Sequence, residues 1–110
     1  MNTTIAEIVE ALRANTDIPP RTLVEFHSWC VGEYSYLAAK LEQAVNNKPT
    51  EWLLLRDESK SVSETDRKWQ ATPQGMEEGK LRRQMKVLEK IMSSLRLRLM
   101  IKDQEARNIM

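Results

Sequence analysis

The sequence predicts an all-α fold, an elongated antiparallel helical bundle or hairpin with a short N-terminal helix and a long C-terminal helix. Three observations favour this class. Glycine and proline are scarce, at three and four among 110 residues, so few helix breakers divide the chain. Residues that favour helices, such as Leu, Met, Glu, Lys and Arg, are plentiful. Apolar residues recur at three- and four-residue spacing through two long segments.

A short first helix is predicted at about residues 4–14. Thr4 and Glu7 match a capping box, in which the hydroxyl and the carboxylate each bond to the other residue's main-chain amide. The apolar side chains recur at helical spacing, and they are Ile5, Ile8, Val9 and Leu12. Residues 17–20 end with two prolines. Because the residue before a proline favours extended backbone, the helix is expected to stop there.

The second helix is predicted at about residues 21–46. Seven apolar or aromatic side chains lie close to one face: Leu23, Phe26, Cys30, Tyr34, Leu37, Leu41 and Val45. Pro49 interrupts the pattern, after which residues 51–58 read as helical again. Two outcomes stay open at this point: the helix kinks at Pro49 and runs on, or it stops there.

Residues 57–75 are polar, and we predict that they form a mobile or partner-ordered connection within one domain that covers residues 1–110. Ser63 or Thr65 is predicted to cap a short helix inside this connection. That helix would carry Arg67, Lys68 and Trp69, and residues 71–75 would end it.

The long final helix is predicted to begin with Thr72 as its N-cap and Pro73 at its first helical position. Six apolar residues follow at alternating four- and three-residue spacing, which is the a/d pattern of a packed seam. This seam consists of Leu81, Met85, Leu88, Met92, Leu95 and Leu99. It is expected to pack inside a three-helix bundle or across a subunit interface. Because Met92, Met100 and Leu97 suggest a partner helix, a homo-oligomer is predicted.

The same helix carries most of the positive charge. Between Lys80 and Lys102 the chain has eight basic residues and one acidic residue, Glu89, which gives this window a formal charge of +7. Because the whole chain carries +1, the remainder sums to −6. Such a split favours a polyanion or an acidic protein surface as the partner, rather than a small-molecule substrate.

Five of these basic residues avoid the seam, and we name them the basic ridge: Arg82, Arg83, Lys86, Lys90 and Arg96. Phosphates neutralised by such a ridge release counterions, so binding would weaken with salt. Four further residues extend the ridge if the polar connection folds back: Arg56, Lys60, Arg67 and Lys68. Trp52 and Trp69 are candidate stacking platforms for unpaired bases.

Each of these features also has a plainer interpretation. The ridge could be a solvated helix face whose charges pair with acidic side chains elsewhere in the chain. The two tryptophans could be core or interface anchors instead of stacking platforms.

No catalytic signature is present. His27 and Cys30 are three residues apart on a predicted helix, but two ligands do not make a zinc site. We interpret them as a packed imidazole and a buried thiol. We therefore predict a protein that is not an enzyme and uses no metal or other cofactor.

The sequence also predicts a cytoplasmic protein, in the host cell if the protein is viral. Cys30 is the only cysteine, so no intramolecular disulfide is possible. The N-terminus is polar and does not have the pattern of a secretory signal. No apolar run approaches the roughly 18 residues that span a bilayer, so no membrane partner is expected.

Across about residues 34–107 the chain resembles the small phage recombination mediators, the UvsY-like proteins. The similar features are Lys40-Leu41, the run at residues 52–56, the basic and aromatic run at residues 67–69, and a turn at Gly75. A long C-terminal helix with leucines, a basic middle section and a terminal Glu105-Ala106-Arg107 completes the pattern. The longer insertion that such proteins can carry before the final helix is missing.

The resemblance implies an oligomeric, all-helical protein that binds single-stranded DNA and helps to load a strand-exchange recombinase. By position, the DNA-contacting region would include Arg56, Lys60, Arg67 and Lys68, while the C-terminal helix would serve assembly. Two other functions remain open: a small phage inhibitor of a host defence complex, similar to anti-CRISPR proteins, or a helical protein–protein adaptor. The preference between DNA and RNA also remains open.

Overall fold

The computed structural model describes residues 4–14 and 17–108, and within these ranges the chain forms four α-helices and no strand. They are α1 (Ile5–Ala14), α2 (Pro20–Asp57), α3 (Val62–Ala71) and α4 (Pro73–Asn108). The predicted all-α class, with a short N-terminal and a long C-terminal helix, is confirmed. None of the described helices combines the length and the apolar character needed to cross a membrane.

The helices are organised as two compact units. The first unit consists of Met1–Tyr34 and Lys86–Met110, and the second consists of Ser35–Met85. Both boundaries fall inside helices, so α2 and α4 each contribute one segment to each unit.

The core of the first unit is formed by α1, the first part of α2 and the second part of α4. Its buried apolar residues are Ile8, Ile18, Leu23, Cys30, Leu88, Ile91, Met92 and Leu95. Three of them, Leu88, Met92 and Leu95, belong to the predicted seam, so in this unit the seam points into the core. Leu99, the last residue of the seam, is half-buried.

The second unit has a smaller apolar core, which consists of Leu37, Trp69 and Leu81. Thr65 and the Glu78 carboxylate are buried with them, while the seam residue Met85 is half-buried. A core with so few apolar side chains relies more on hydrogen bonds between helices, and Glu78 accepts several of them.

Helix α2 continues through Pro49, which decides between the two outcomes that the sequence left open. A proline inside a helix removes one main-chain hydrogen bond and crowds the preceding turn. Side chains on both sides of Pro49 offset this cost in the second unit. Lys48 Nζ lies 3.4 Å from Glu78 Oε1 on α4, and Trp52 Nε1 donates to Asp66 Oδ1 on α3 over 3.0 Å.

The N-cap of α3 is Ser61, so the prediction that Ser63 or Thr65 would cap this helix is wrong. Ser61 has extended backbone, and its hydroxyl accepts a hydrogen bond from the amide of Glu64 over 3.2 Å. Thr65 is fully buried, and its hydroxyl donates to the carbonyl of Ser61 over 2.9 Å. The predicted short helix itself is present and carries Arg67, Lys68 and Trp69; what the polar composition hid is its narrow buried side, formed by Thr65 and Trp69.

The start of α4 follows the prediction, because Thr72 caps the helix and Pro73 is its first residue. The Thr72 hydroxyl accepts from the amide of Gly75 over 3.0 Å and donates to the carbonyl of Trp69 over 2.6 Å. Gly75 is therefore a helical residue, and the turn that was predicted there is wrong. The break between α3 and α4 lies at Thr72 alone.

Gly75 is required by space and not by backbone conformation, since no described residue has a positive φ. A Cβ atom at this position would lie 1.8 Å from the carbonyl oxygen of Trp69, which is main chain and cannot swing away. We expect Gly75→Ala to push α3 away from α4 and to lower the free energy of unfolding by about 2–3 kcal/mol. Urea denaturation followed by circular dichroism measures this change.

Gly79→Ala is the matched control, one helical turn further along α4. A Cβ at Gly79 would meet only the Arg83 guanidinium, at 3.2 Å, and that flexible side chain has room to move. Because Ala is the better helix former, this variant should gain up to about 1 kcal/mol. Equal stabilities for the two variants would contradict the close approach of α3 to α4 at Gly75.

Candidate nucleic-acid interface

Two of the eight basic residues between Lys80 and Lys102 are used inside the first unit. The Arg98 guanidinium donates to the carbonyl of Leu12 over 2.8 Å, which ties α4 to the last turns of α1. Lys102 forms an ion pair with Asp17. The hydrogen bond and the attraction between the opposite charges lower the pKa of the Asp17 carboxyl and raise the pKa of Lys102.

Two residues of the basic ridge also have local partners. Arg82 donates to Glu78 Oε1 over 3.2 Å, although more than half of its side chain remains exposed. Arg96 is exposed and donates to the hydroxyl of Ser93 over 3.4 Å. Because Glu78 partly neutralises it, Arg82 contributes less positive charge to the surface than an unpaired arginine would.

The other three residues of the ridge, Arg83, Lys86 and Lys90, are exposed, and none of them forms an ion pair with an acidic group in the part of the chain that the structure describes. Lys86 and Lys90 follow each other at four-residue spacing on the segment of α4 in the first unit, so they share one side of that segment, while Arg83 lies on the segment in the second unit. The single acidic residue nearby, Glu89, accepts a hydrogen bond from the Tyr34 hydroxyl over 2.8 Å. We name Arg83, Lys86 and Lys90 the open ridge residues.

The four residues expected to extend the ridge are divided by the structure into two pairs. Arg56 donates to the carbonyl of Ser59 over 3.1 Å, and Lys68 donates to the carbonyl of Glu58 over 3.2 Å, so both close the C-terminal end of α2. Lys60 and Arg67 are exposed. Only this second pair offers side chains that are not already bound to the main chain.

Trp69 does not offer a stacking surface, so its place among the predicted nucleic-acid-binding residues has to be corrected. The residue is only 3% exposed. Its indole donates from Nε1 to Glu78 Oε2 over 2.8 Å, and Lys48 Nζ lies 5.5 Å from its ring centroid. The alternative interpretation, a core anchor, is the one that the structure supports. Trp52 is half-buried and bonded to Asp66.

Glu78 is the residue that connects the helices of the second unit, and sequence reasoning treated it only as a favourable charge in an early turn of α4. Its carboxylate accepts from Trp69 on α3 and from Arg82 on α4, and it pairs with Lys48 on α2. Burial raises the pKa of Glu78, but these three donors outweigh it, so the net pKa is lowered. The signal in the sequence was the position of Glu78, because it lies three residues before Leu81 and so continues the spacing of the seam.

This network predicts a pH dependence of stability. Because the pKa of Glu78 is lower in the folded state, its contribution is complete above the ordinary carboxyl value of 4.5 and is lost as the pH falls through the lowered value. The free energy of unfolding of the natural chain should fall between neutral pH and about pH 3. We expect part of this fall to be absent in Glu78→Gln. Urea midpoints measured at several pH values in both proteins test this difference.

Glu77→Gln is the control for that comparison, since Glu77 is an exposed neighbour that accepts no hydrogen bond among the described residues. The stability of this variant should fall with decreasing pH as much as that of the natural chain does. If both variants lost the same part of the pH dependence of stability, that dependence would come from overall charge and not from the Glu78 network.

The pair His27 and Cys30 keeps the interpretation that the sequence suggested for it. Cys30 is fully buried, and burial raises the pKa of its thiol. Nε2 of His27 is buried without a hydrogen-bond partner. In the described part of the chain no three His, Cys, Asp or Glu side chains come together in a way that could hold a metal ion.

Comparison of the chain with protein-family models, with curated proteins and with solved structures finds no match. The fold and the surface define a protein with four helices in its described residues and with exposed basic side chains on its long C-terminal helix.

Proposed function

We propose that this protein is a non-enzymatic accessory protein that binds single-stranded nucleic acid, with DNA favoured, through the basic ridge of α4. The observation that carries the proposal is the set of open ridge residues, Arg83, Lys86 and Lys90, three exposed cations in succession without acidic partners among the described residues. Neighbouring exposed cations repel one another, and bound phosphates neutralise that repulsion. Binding also releases the counterions that surround the nucleic acid.

The resemblance to the UvsY-like mediators supports a more specific form of the proposal. In that form the protein is a cytoplasmic phage protein that assembles as a homo-oligomer and assists the loading of a recombinase onto single-stranded DNA. Surface apolar side chains support the assembly step: Leu97, Met100 and Ile101 on α4 are each between 44 and 53% exposed. A second copy would cover such side chains.

The test is the binding of a fluorescently labelled single-stranded oligonucleotide, measured by anisotropy across a salt series. We expect binding that falls linearly on a plot of log affinity against log salt, with a slope of about 0.7 for each phosphate neutralised. Absence of binding at low salt would overturn the proposal. An equal affinity for a duplex of the same length would remove the preference for single strands.

A protein partner is the second candidate function, and one surface of the second unit favours it. Leu53 and Leu54 are 58 and 63% exposed, and Leu53 lines an open groove of about 500 Å³ together with Val45 and Trp52. An inhibitor of a host complex or a helical adaptor would place its anchors in such a groove. Binding by that route would depend little on salt, and Leu53→Asp would abolish it without changing the affinity for DNA.

A further inference from the structure

A second feature of the second unit lies beside the basic ridge. Where α3 ends and α4 begins, the surface forms a depression of about 780 Å³. Its lining comes almost entirely from the first turns of α4, with Gln70 of α3 at one side. The α4 residues that line it are Pro73, Gly75, Met76, Glu77, Gly79, Lys80 and Arg83. The volume lies within the range of about 300–1,000 Å³ that is typical of small-molecule sites.

Gly79 in this depression has no explanation in the packing of the chain. A glycine inside a helix costs about 1 kcal/mol relative to alanine, so its presence calls for a reason. At Gly75 the reason is the carbonyl of Trp69, whereas at Gly79 a Cβ would touch only the flexible Arg83 side chain. What the missing side chain does provide is room for the Arg83 guanidinium to lie close against the helix backbone at the depression.

The groups around Gly79 suit an unpaired nucleotide. The Arg83 guanidinium lies directly over this position, and a guanidinium plane stacks on bases. Met76 is 62% exposed and supplies an apolar, polarisable contact for the other face of a ring. Lys80 is exposed and can bind a phosphate. Glu77, the one acidic residue of the lining, leaves the site with a net positive charge.

We propose that this depression holds one unpaired base of a bound single strand, stacked between Met76 and the Arg83 guanidinium, with the adjoining phosphate on Lys80. This inference rests on the proposed function, and it adds base recognition to phosphate binding. Arg83 then has two roles, because it belongs to both the open ridge residues and the depression. A duplex, whose bases are stacked inside, cannot use the depression, which gives a physical cause for the preference for single strands.

The test compares two oligonucleotides with the same number of phosphates, oligothymidylate and an abasic strand. The natural chain should bind oligothymidylate about tenfold or more tightly, as expected for stacking of a base. Gly79→Gln fills the depression without changing charge and should bind both strands with the same affinity. Gly32→Gln is the matched control, since Gly32 is a helical glycine of the first unit with open space around it, and it should keep the preference.

A measurement on the natural chain makes the test independent of how well a variant folds. A strand that carries 4-thiothymidine should photocrosslink to the peptide that contains Met76. Crosslinks confined to other parts of the chain would overturn the inference.

The outcomes also separate the inference from the proposed function. Equal binding of the thymidine and abasic strands by the natural chain, with a clear salt slope, would overturn the base site and leave phosphate binding intact. If Gly79→Gln still binds oligothymidylate more tightly than the abasic strand, the base site is likewise overturned. Binding of neither strand at low salt would overturn both proposals.

Discussion

Leu88→Asp is expected to abolish the cooperative unfolding transition, because it places a carboxylate at the centre of the first unit. Leu88 is fully buried, and neighbouring core positions on α4 are occupied by Ile91, Met92 and Leu95. Leucine at such a site contributes about 2–5 kcal/mol through its packing, and a buried charge without a partner adds a penalty of several kcal/mol. The sum exceeds or matches the whole stability of a chain of this size.

Val87→Asp is the control for Leu88→Asp, since it introduces the same side chain one residue earlier on the same helix. Val87 is 45% exposed, so the new carboxylate stays in water and lies three residues before Lys90. Its effect on the free energy of unfolding should stay within about 1 kcal/mol. Thermal melts followed by circular dichroism distinguish the two variants, and a normal transition for Leu88→Asp would show that the orientation of α4 is wrong.

The contrast between these neighbours shows which part of the fold was predictable. The seam was found by spacing alone, because a helix that buries one side must repeat apolar residues every three or four positions. Leu81, Leu88, Met92 and Leu95 are buried as that pattern indicates. The course of α2 through Pro49 was not predictable, because it depends on the bonds that Lys48 and Trp52 make to other helices.

The candidate site was less predictable than the fold, since composition cannot tell an inward-facing residue from an outward-facing one in a short helix. Trp69 sits in a polar segment, yet Glu78, nine residues later, supplies the acceptor that its buried indole needs. Arg56 and Lys68 were counted as free cations, but main-chain carbonyls at the end of α2 hold both. Only contacts between distant parts of the chain reveal such partners.

Reversal of charge at the three open ridge residues is the prediction with the largest expected effect on binding. The variant carries Arg83→Glu, Lys86→Glu and Lys90→Glu. Because each lost phosphate contact removes about 0.7 from the salt slope, the slope should fall by about 2. Between 50 and 200 mM salt, the affinity of the natural chain should therefore fall roughly 20-fold more than that of the variant. Helicity should be unchanged, since all three side chains are exposed.

A matched variant separates the position of the charges from their number. Arg13→Glu, Arg21→Glu and Arg107→Glu, made together, change three exposed arginines away from the ridge and give the same net charge. General attraction between the protein and DNA would make the two variants equally weak. If the phosphates instead contact the open ridge residues, the control variant keeps most of the affinity and the slope of the natural chain. The difference in slope between the variants then counts the phosphates that the open ridge residues contact.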